Sequence, residues 1–145
     1  MAVDVLSEIV IARPREAVAA FACDPSNAPA WYANIESIRW LTEPPVAVGS
    51  RMDFVARFLG RTLAYTYQVR ELVTDQRLVM STAEGPFPME TTYEFADSGT
   101  GHTHMTLRNR GEPAGFSRVV GPLMAHAVGR ANRKDLRALK QLLES

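Results

Sequence analysis

Cysteine is nearly absent from this chain. Cys23 stands alone among 145 residues, so no internal disulfide can form and a reducing, cytoplasmic setting is expected. No base lies beside Cys23 in sequence and its neighbours are rich in alanine, which reads as a buried structural thiol rather than a nucleophile. Net charge is missing too. Sixteen basic and sixteen acidic side chains cancel, which argues against nucleic acid or an anionic membrane as the main partner, since both demand a basic surface. No apolar run approaches the ~18 residues a membrane span needs and no basic-then-apolar leader opens the chain, so no stable membrane insertion is expected. The Gly-x-x-x-x-Gly-Lys phosphate loop, the dinucleotide Gly-x-Gly-x-x-Gly and the Gly-x-Ser-x-Gly elbow are all lacking, and no cofactor is expected. Histidine is scarce. His102 and His104 share the even-numbered face of a strand, opposite Met105 and Leu107, and should point to solvent, while His126 is isolated; no metal is expected.

What remains is an ordinary globular composition. With 46% hydrophobic residues, a chain this long should bury close to ~70% of its unfolded surface, and residues 1–145 read as a single domain, monomeric or homodimeric. Arg110, Arg118, Arg130, Arg133, Lys134, Arg137 and Lys140 crowd the C-terminal region. They read as a solvated helix face, with the cations favoured near a helix C-terminus, rather than as an anion site.

Alternation dominates the first three quarters. Val3, Val5, Ser7, Ile9 and Ile11 share a strand face, and Arg13-Pro14 breaks the strand where proline suits the first turn of a helix. Val18 and Phe21 face one way on that helix, and Asp24-Pro25 ends it and caps a second, brief helix leading to Trp31-Tyr32. Strands are expected over Ile35–Leu41, Arg51–Leu59 and Thr62–Val73, then around Leu78-Val79-Met80, along Phe87–Phe95 and from Thr103 to Asn109. Turns at Glu43-Pro44-Pro45, Gly60-Arg61, Asp75-Gln76, Gly85-Pro86 and Asp97–Gly101 keep the connections short, which implies antiparallel pairing.

From Phe116 the period changes. Phe116, Val120, Leu123, Met124, Ala127, Ala131, Ala138 and Leu142 recur at three- and four-residue spacing, as on one face of a helix over residues 117–143. Gly121-Pro122 should kink it or break its first turn. Strands followed by one long helix give an α+β chain, with the helix laid across a curved sheet and a cavity between them. Trp31, Tyr65, Tyr67, Met80, Phe87, Met89, Tyr93, Phe116 and Met124 are candidates to line that cavity. Tyr65, Tyr67, Tyr93 and Asn109 supply inward polar groups, and Glu112 is a candidate acid at the rim.

These segments carry a resemblance. The opening strand with Ala12-Arg13-Pro14 and Val18-Ala19-Ala20-Phe21, Asp24-Pro25 to Trp31, Val48-Gly49-Ser50, Arg77-Leu78-Val79, Tyr93-Glu94-Phe95, Thr106-Leu107-Arg108 and the run Asn132–Lys140 together resemble the polyketide cyclase/dehydrase branch of the START-like (SRPBCC) superfamily. The resemblance implies a helix-grip fold: seven antiparallel strands curved round the C-terminal helix, with two short helices after the first strand. It implies a cavity for lipids, sterols, polyketides or plant-hormone-like molecules, and carries no catalytic residue onto this chain. The expected function is therefore binding or carriage of a small apolar molecule. Trp31, Tyr65, Tyr67, Met80, Met89, Tyr93, Asn109, Phe116 and Met124 are its expected contacts, with an entrance between Gly111–Pro122 and the Trp31 loop. An aromatase/cyclase acting on a polyketide, with a tyrosine polarising a carbonyl, is a second expectation; a co-chaperone-like module using the outer face of the sheet is a third.

Overall fold

A computed structural model describes residues 3–112 and 121–145. Strand β1 (Val3–Ile11) buries Val3, Ser7 and Ile11 on one face and exposes the even positions, as the alternation predicts. Pro14, with φ −59°, precedes helix α1 (Arg15–Ala22), which buries Val18, Ala19 and Ala22. Asp24 Oδ1 accepts from the Ser26 N–H at 3.0 Å and so starts a 3₁₀ turn over Pro25–Asn27, followed by the short helix α2 (Ala28–Trp31). The chain then runs through β2 (Ile35–Trp40), β3 (Arg51–Phe58), β4 (Arg61–Val73), β5 (Arg77–Glu84), β6 (Met89–Asp97) and β7 (Thr103–Gly111), and closes with helix α3 (Gly121–Glu144).

The strands form one antiparallel sheet in the order β1-β7-β6-β5-β4-β3-β2. Strands β2 to β7 make a meander, with a longer connection over residues 41–50 between β2 and β3 and shorter ones after it, and β1 returns to pair with β7 from Val3↔Gly111 to Ile11↔Thr103. Leu59 and Gly60 link β3 to β4 with φ of 51° and 76°, the doubly left-handed geometry of a two-residue hairpin. Register shifts between Ile35 and Ser37 and at two places in β4 are bulges, which raise the local twist and help the sheet curl. Helix α3 lies against β1 and α2. This is the helix-grip arrangement.

Inward residues alternate as expected on β3, β6 and β7: Met52 and Phe54, Tyr93 and Phe95, and Met105 and Leu107 are all buried. The outer face carries ion pairs beside the exposed Leu6 and Val10 of β1. Arg108 pairs with Asp4, Arg77 with Glu71 and Glu94, and Arg39 with Asp53. His104 also lies outside, its Nε2 at 3.2 Å from Glu8 Oε2, and His102 is exposed. Among the described residues no cluster of three metal-ligating side chains occurs, and no helix is long and apolar enough to cross a membrane.

Helix α3 departs from the expected stripe. Met124 of that stripe is buried and Ala127, Ala131 and Ala138 are half-buried, but Leu123 and Leu142 are exposed (63% and 45%), whereas Asn132, Asp135, Leu136, Leu139 and Leu143, outside it, are buried. The inner face is rotated from the apolar pattern because it carries two polar residues, Asn132 and Asp135, that apolar periodicity cannot register. Arg130, Arg133, Lys134 and Arg137 are exposed, consistent with a solvated face. Pro122 sits in the first turn of α3, where a missing N–H is tolerated. Phe116 and Val120, and the helix start expected at residue 117, lie outside the described residues.

Candidate functional site

A cavity of ≈ 200 Å³ lies between the concave face of the sheet and α3. Its wall is mostly apolar. Phe54, Ala56 and Phe58 come from β3, Leu63 and Tyr65 from β4, Leu78 and Met80 from β5, and Met124, Val128 and Ala131 from α3. Phe87 precedes β6 and Met89 begins it; both border the cavity. Strand parity explains the convergence, since alternate side chains of a curled sheet share the concave side. Packing explains why the space is not simply filled: α3 spans the sheet but approaches β1 and α2 most closely.

Most polar groups of the wall are satisfied by one another, while the buried Asn132 Nδ2 has no partner among the described residues. Tyr67 Oη lies 2.8 Å from Thr91 Oγ1, Thr91 donates to Asn109 Oδ1 at 2.6 Å, and Asn109 Nδ2 donates to Asn132 Oδ1 at 2.9 Å. Because Thr91 spends its proton on Asn109, Tyr67 is the donor in the first of these bonds. The chain ties β4, β6, β7 and α3 together across the cavity. A second pair joins Tyr32 Oη to Tyr93 Oη at 2.6 Å. Burial pushes Tyr32 and Tyr93 well above the usual phenol range and Tyr67 up to about 12, so all three stay neutral hydroxyls.

Asp135 is the one acid of the wall among the described residues. It is 3% exposed, and its Oδ1 accepts from the Ala33 N–H at 3.0 Å. Burial raises its carboxyl to about 6, against the pull of that backbone bond and of Lys134. Cys23 also borders the cavity, and burial pushes its thiol up to about 12, which removes thiolate character.

Of the contacts expected from sequence, Tyr65, Tyr67, Met80, Met89, Tyr93, Asn109 and Met124 all border this cavity, and Phe116 lies outside the described residues. Trp31 does not border it. Its ring is 2% exposed and packs behind Tyr32 and Tyr93, at centroid distances of 4.2 and 5.7 Å. It is too deep in the α2 contact to form an entrance. Of the other expected entrance side, Gly111 borders the cavity, while residues 113–120 lie outside the described region. Glu112 is exposed, just beyond β7. Sequence reasoning missed Tyr32, Asn132 and Asp135. Asn132 and Asp135 are three apart and one turn from Val128 and Leu139, a spacing that would have revealed them had polar residues been admitted to the helix face.

Residues 2–144 match the model of a family described as polyketide cyclase / dehydrase and lipid transport. The chain belongs to that family. Solved structures share the architecture at low identity. A START superfamily protein from Mycobacterium smegmatis aligns with TM-score 0.82 and 16% identity over 97% of each chain. A protein from Thermus thermophilus aligns with TM-score 0.80 and 22% identity, over 97% of this chain and 96% of that one. The Zhui aromatase/cyclase of Streptomyces sp. R1128 gives TM-score 0.78 and 16% identity, over 97% and 93%. At such identities the likeness concerns the fold. No curated protein matches the chain.

Proposed function

We propose that this family member binds and carries a small, largely apolar molecule in the cavity beneath α3. The observation that carries the reading is a space of ≈ 200 Å³ walled mainly by aliphatic and aromatic side chains, whose bordering hydroxyls and amides are mostly paired internally. Such a wall offers an apolar ligand little unpaired polar surface to desolvate. Each Å² of apolar area buried would contribute about 25 cal/mol, less the cost of immobilising the ligand. On the outer face ion pairs lie beside the exposed Leu6 and Val10, which leaves no purely apolar surface there and supports this reading over a partner-binding sheet surface. Native mass spectrometry of freshly purified protein, with fluorescence titration of Trp31 and Trp40 against lipids, sterols and aromatic polyketides, tests it. Saturable one-to-one binding is expected; a broad library in which nothing binds overturns it.

One observation favours a cyclase as second reading. Asp135 holds its proton to about pH 6 at the cavity wall, the range in which a carboxyl serves as general acid or base. Turnover of a poly-β-ketone that survives Asp135→Asn unchanged would end that reading.

A further inference from the structure

Two polar ends on the α3 side of the cavity are left unmet. Asn132 and Asp135 are each 3% exposed, stand one turn apart on α3 and both border the cavity. The hydrogen-bond chain fixes which end of Asn132 is free. Thr91 donates to Asn109 Oδ1, so Asn109 Nδ2 meets Asn132 Oδ1, and Asn132 Nδ2 is left without a partner among the described residues. Asp135 accepts from the Ala33 N–H through Oδ1, and among the described residues its Oδ2 has no hydrogen-bond partner. A buried donor and a buried acceptor of this kind call for a ligand group or water.

The charge is unmatched as well. Arg110, the cation of the cavity wall, is held by Glu90. Lys134, next to Asp135 in sequence, is exposed. Helix α2 brings no ionisable side chain, and the residues that β1 buries are Val3, Ser7 and Ile11. Tyr32, whose hydroxyl feels the Asp135 charge, is neutral. With its carboxyl raised to about 6 by burial, Asp135 is anionic near neutral pH and lacks a counter-ion. We propose that this part of the cavity is a site for a protonated amine with a neighbouring oxygen, an aryl or alkyl amino alcohol, whose ammonium pairs with Asp135 and whose oxygen accepts from Asn132 Nδ2. An oxygen two carbons from the nitrogen spans side chains one turn apart, whose Cβ atoms are about 5–6 Å from each other. The Tyr32 ring borders the same cavity and suits a cation beside it. This rests on the carrier reading and adds to it the charge and class of what is carried.

Calorimetric titration of the full chain with 2-amino-1-phenylethanol, phenethylamine, 2-phenylethanol and ethylbenzene tests the proposal. At pH 7.5 the amino alcohol should bind about three- to tenfold more tightly than phenethylamine, which lacks the oxygen. Phenethylamine should in turn bind about ten- to a hundredfold more tightly than 2-phenylethanol, which lacks the charge. Both amines stay protonated over this range, so their affinity follows the ionisation of Asp135. It should fall about five- to tenfold from pH 7.5 to pH 5, while that of ethylbenzene stays level. Binding of either amine at pH 5.5 should release about half a proton or more, read from the heats in two buffers of different ionisation enthalpy. In Asp135→Asn the preference for amines and the proton release should vanish; the release in the unsubstituted protein is a readout available even if the variant folds poorly. Amines that bind no better than 2-phenylethanol, an amino alcohol no better than phenethylamine, no proton release, or a pH dependence that persists in Asp135→Asn overturns the site, and ethylbenzene binding then leaves the apolar carrier intact. Failure of all four compounds to bind counts against the cavity reading itself and takes the site with it.

Discussion

Asp135 makes the stability of this protein depend on pH in an unusual direction. A carboxyl with a raised folded value holds its proton in the native state while the unfolded chain has already released it. The favourable contribution is complete below 3.8, declines as pH rises, and is lost above about 6. The gap corresponds to about 3 kcal/mol at most. Asp135→Asn keeps an acceptor for the Ala33 N–H and removes the buried charge. It should therefore stabilise the fold by about 1–3 kcal/mol at pH 8 and change little at pH 3.5, as measured by urea unfolding at the two pH values. A variant no more stable at pH 8 would mean that water reaches this carboxyl freely. None of this was legible from sequence, where Asp135 reads as one more charge in a basic run; only the approach of Ala33 and the sheet makes it buried.

Single elements carry their own consequences. The β3–β4 hairpin places Leu59 at φ 51°, where a leucine Cβ crowds the following carbonyl, and leaves the side chain half exposed. Leu59→Asn should stabilise by about 1 kcal/mol, since asparagine tolerates this conformation and forms the favoured Asn-Gly turn with Gly60. The thermal midpoint reports it. On α3 the rotation of the buried face makes a sharper contrast. Leu139 is fully buried, so Leu139→Ala should cost about 2–5 kcal/mol. Leu142 is 45% exposed, and Leu142→Ala should stay within about 0.5 kcal/mol. Equal losses at the two positions in chemical denaturation would contradict the observed face. Strand parity was legible because it repeats every two residues over a half-apolar sheet, as Tyr93, Phe95, Met105 and Leu107 demonstrate. The helix face was not, because Asn132 and Asp135 interrupt its apolar count.

For the whole molecule, the cavity links ligand to stability. A ligand that binds only the folded state adds about 2.7 kcal/mol at a hundred times its Kd. A tight apolar ligand should therefore raise the unfolding midpoint with the logarithm of its concentration, and differential scanning fluorimetry across a dilution series would display the slope. Because the chain Tyr67–Thr91–Asn109–Asn132 joins three strands to α3, a ligand seated against it should also slow amide exchange along the inner face of that helix.

The strands themselves, most of the turns, the terminal helix and the inward set of tyrosines and methionines were decided by local rules: alternation, breakers and helical period act within a few residues of one another. The return of β1 to pair with β7, far along the chain, was decided by closure of the sheet. Which hydroxyls are spent and which remain free was decided only by tertiary structure. Tyr65 and Tyr67 share one strand and one parity, yet the curl of the sheet brings Thr91 to Tyr67, and no hydrogen-bonding partner among the described residues to the hydroxyl of Tyr65. Trp31 shows the converse, an aromatic residue placed by sequence among the ligand contacts but turned behind Tyr32 by the packing of α2. Hydrogen-bond partners distant along the chain meet only when the sheet closes on its helix, and that meeting determines the chemistry of the cavity.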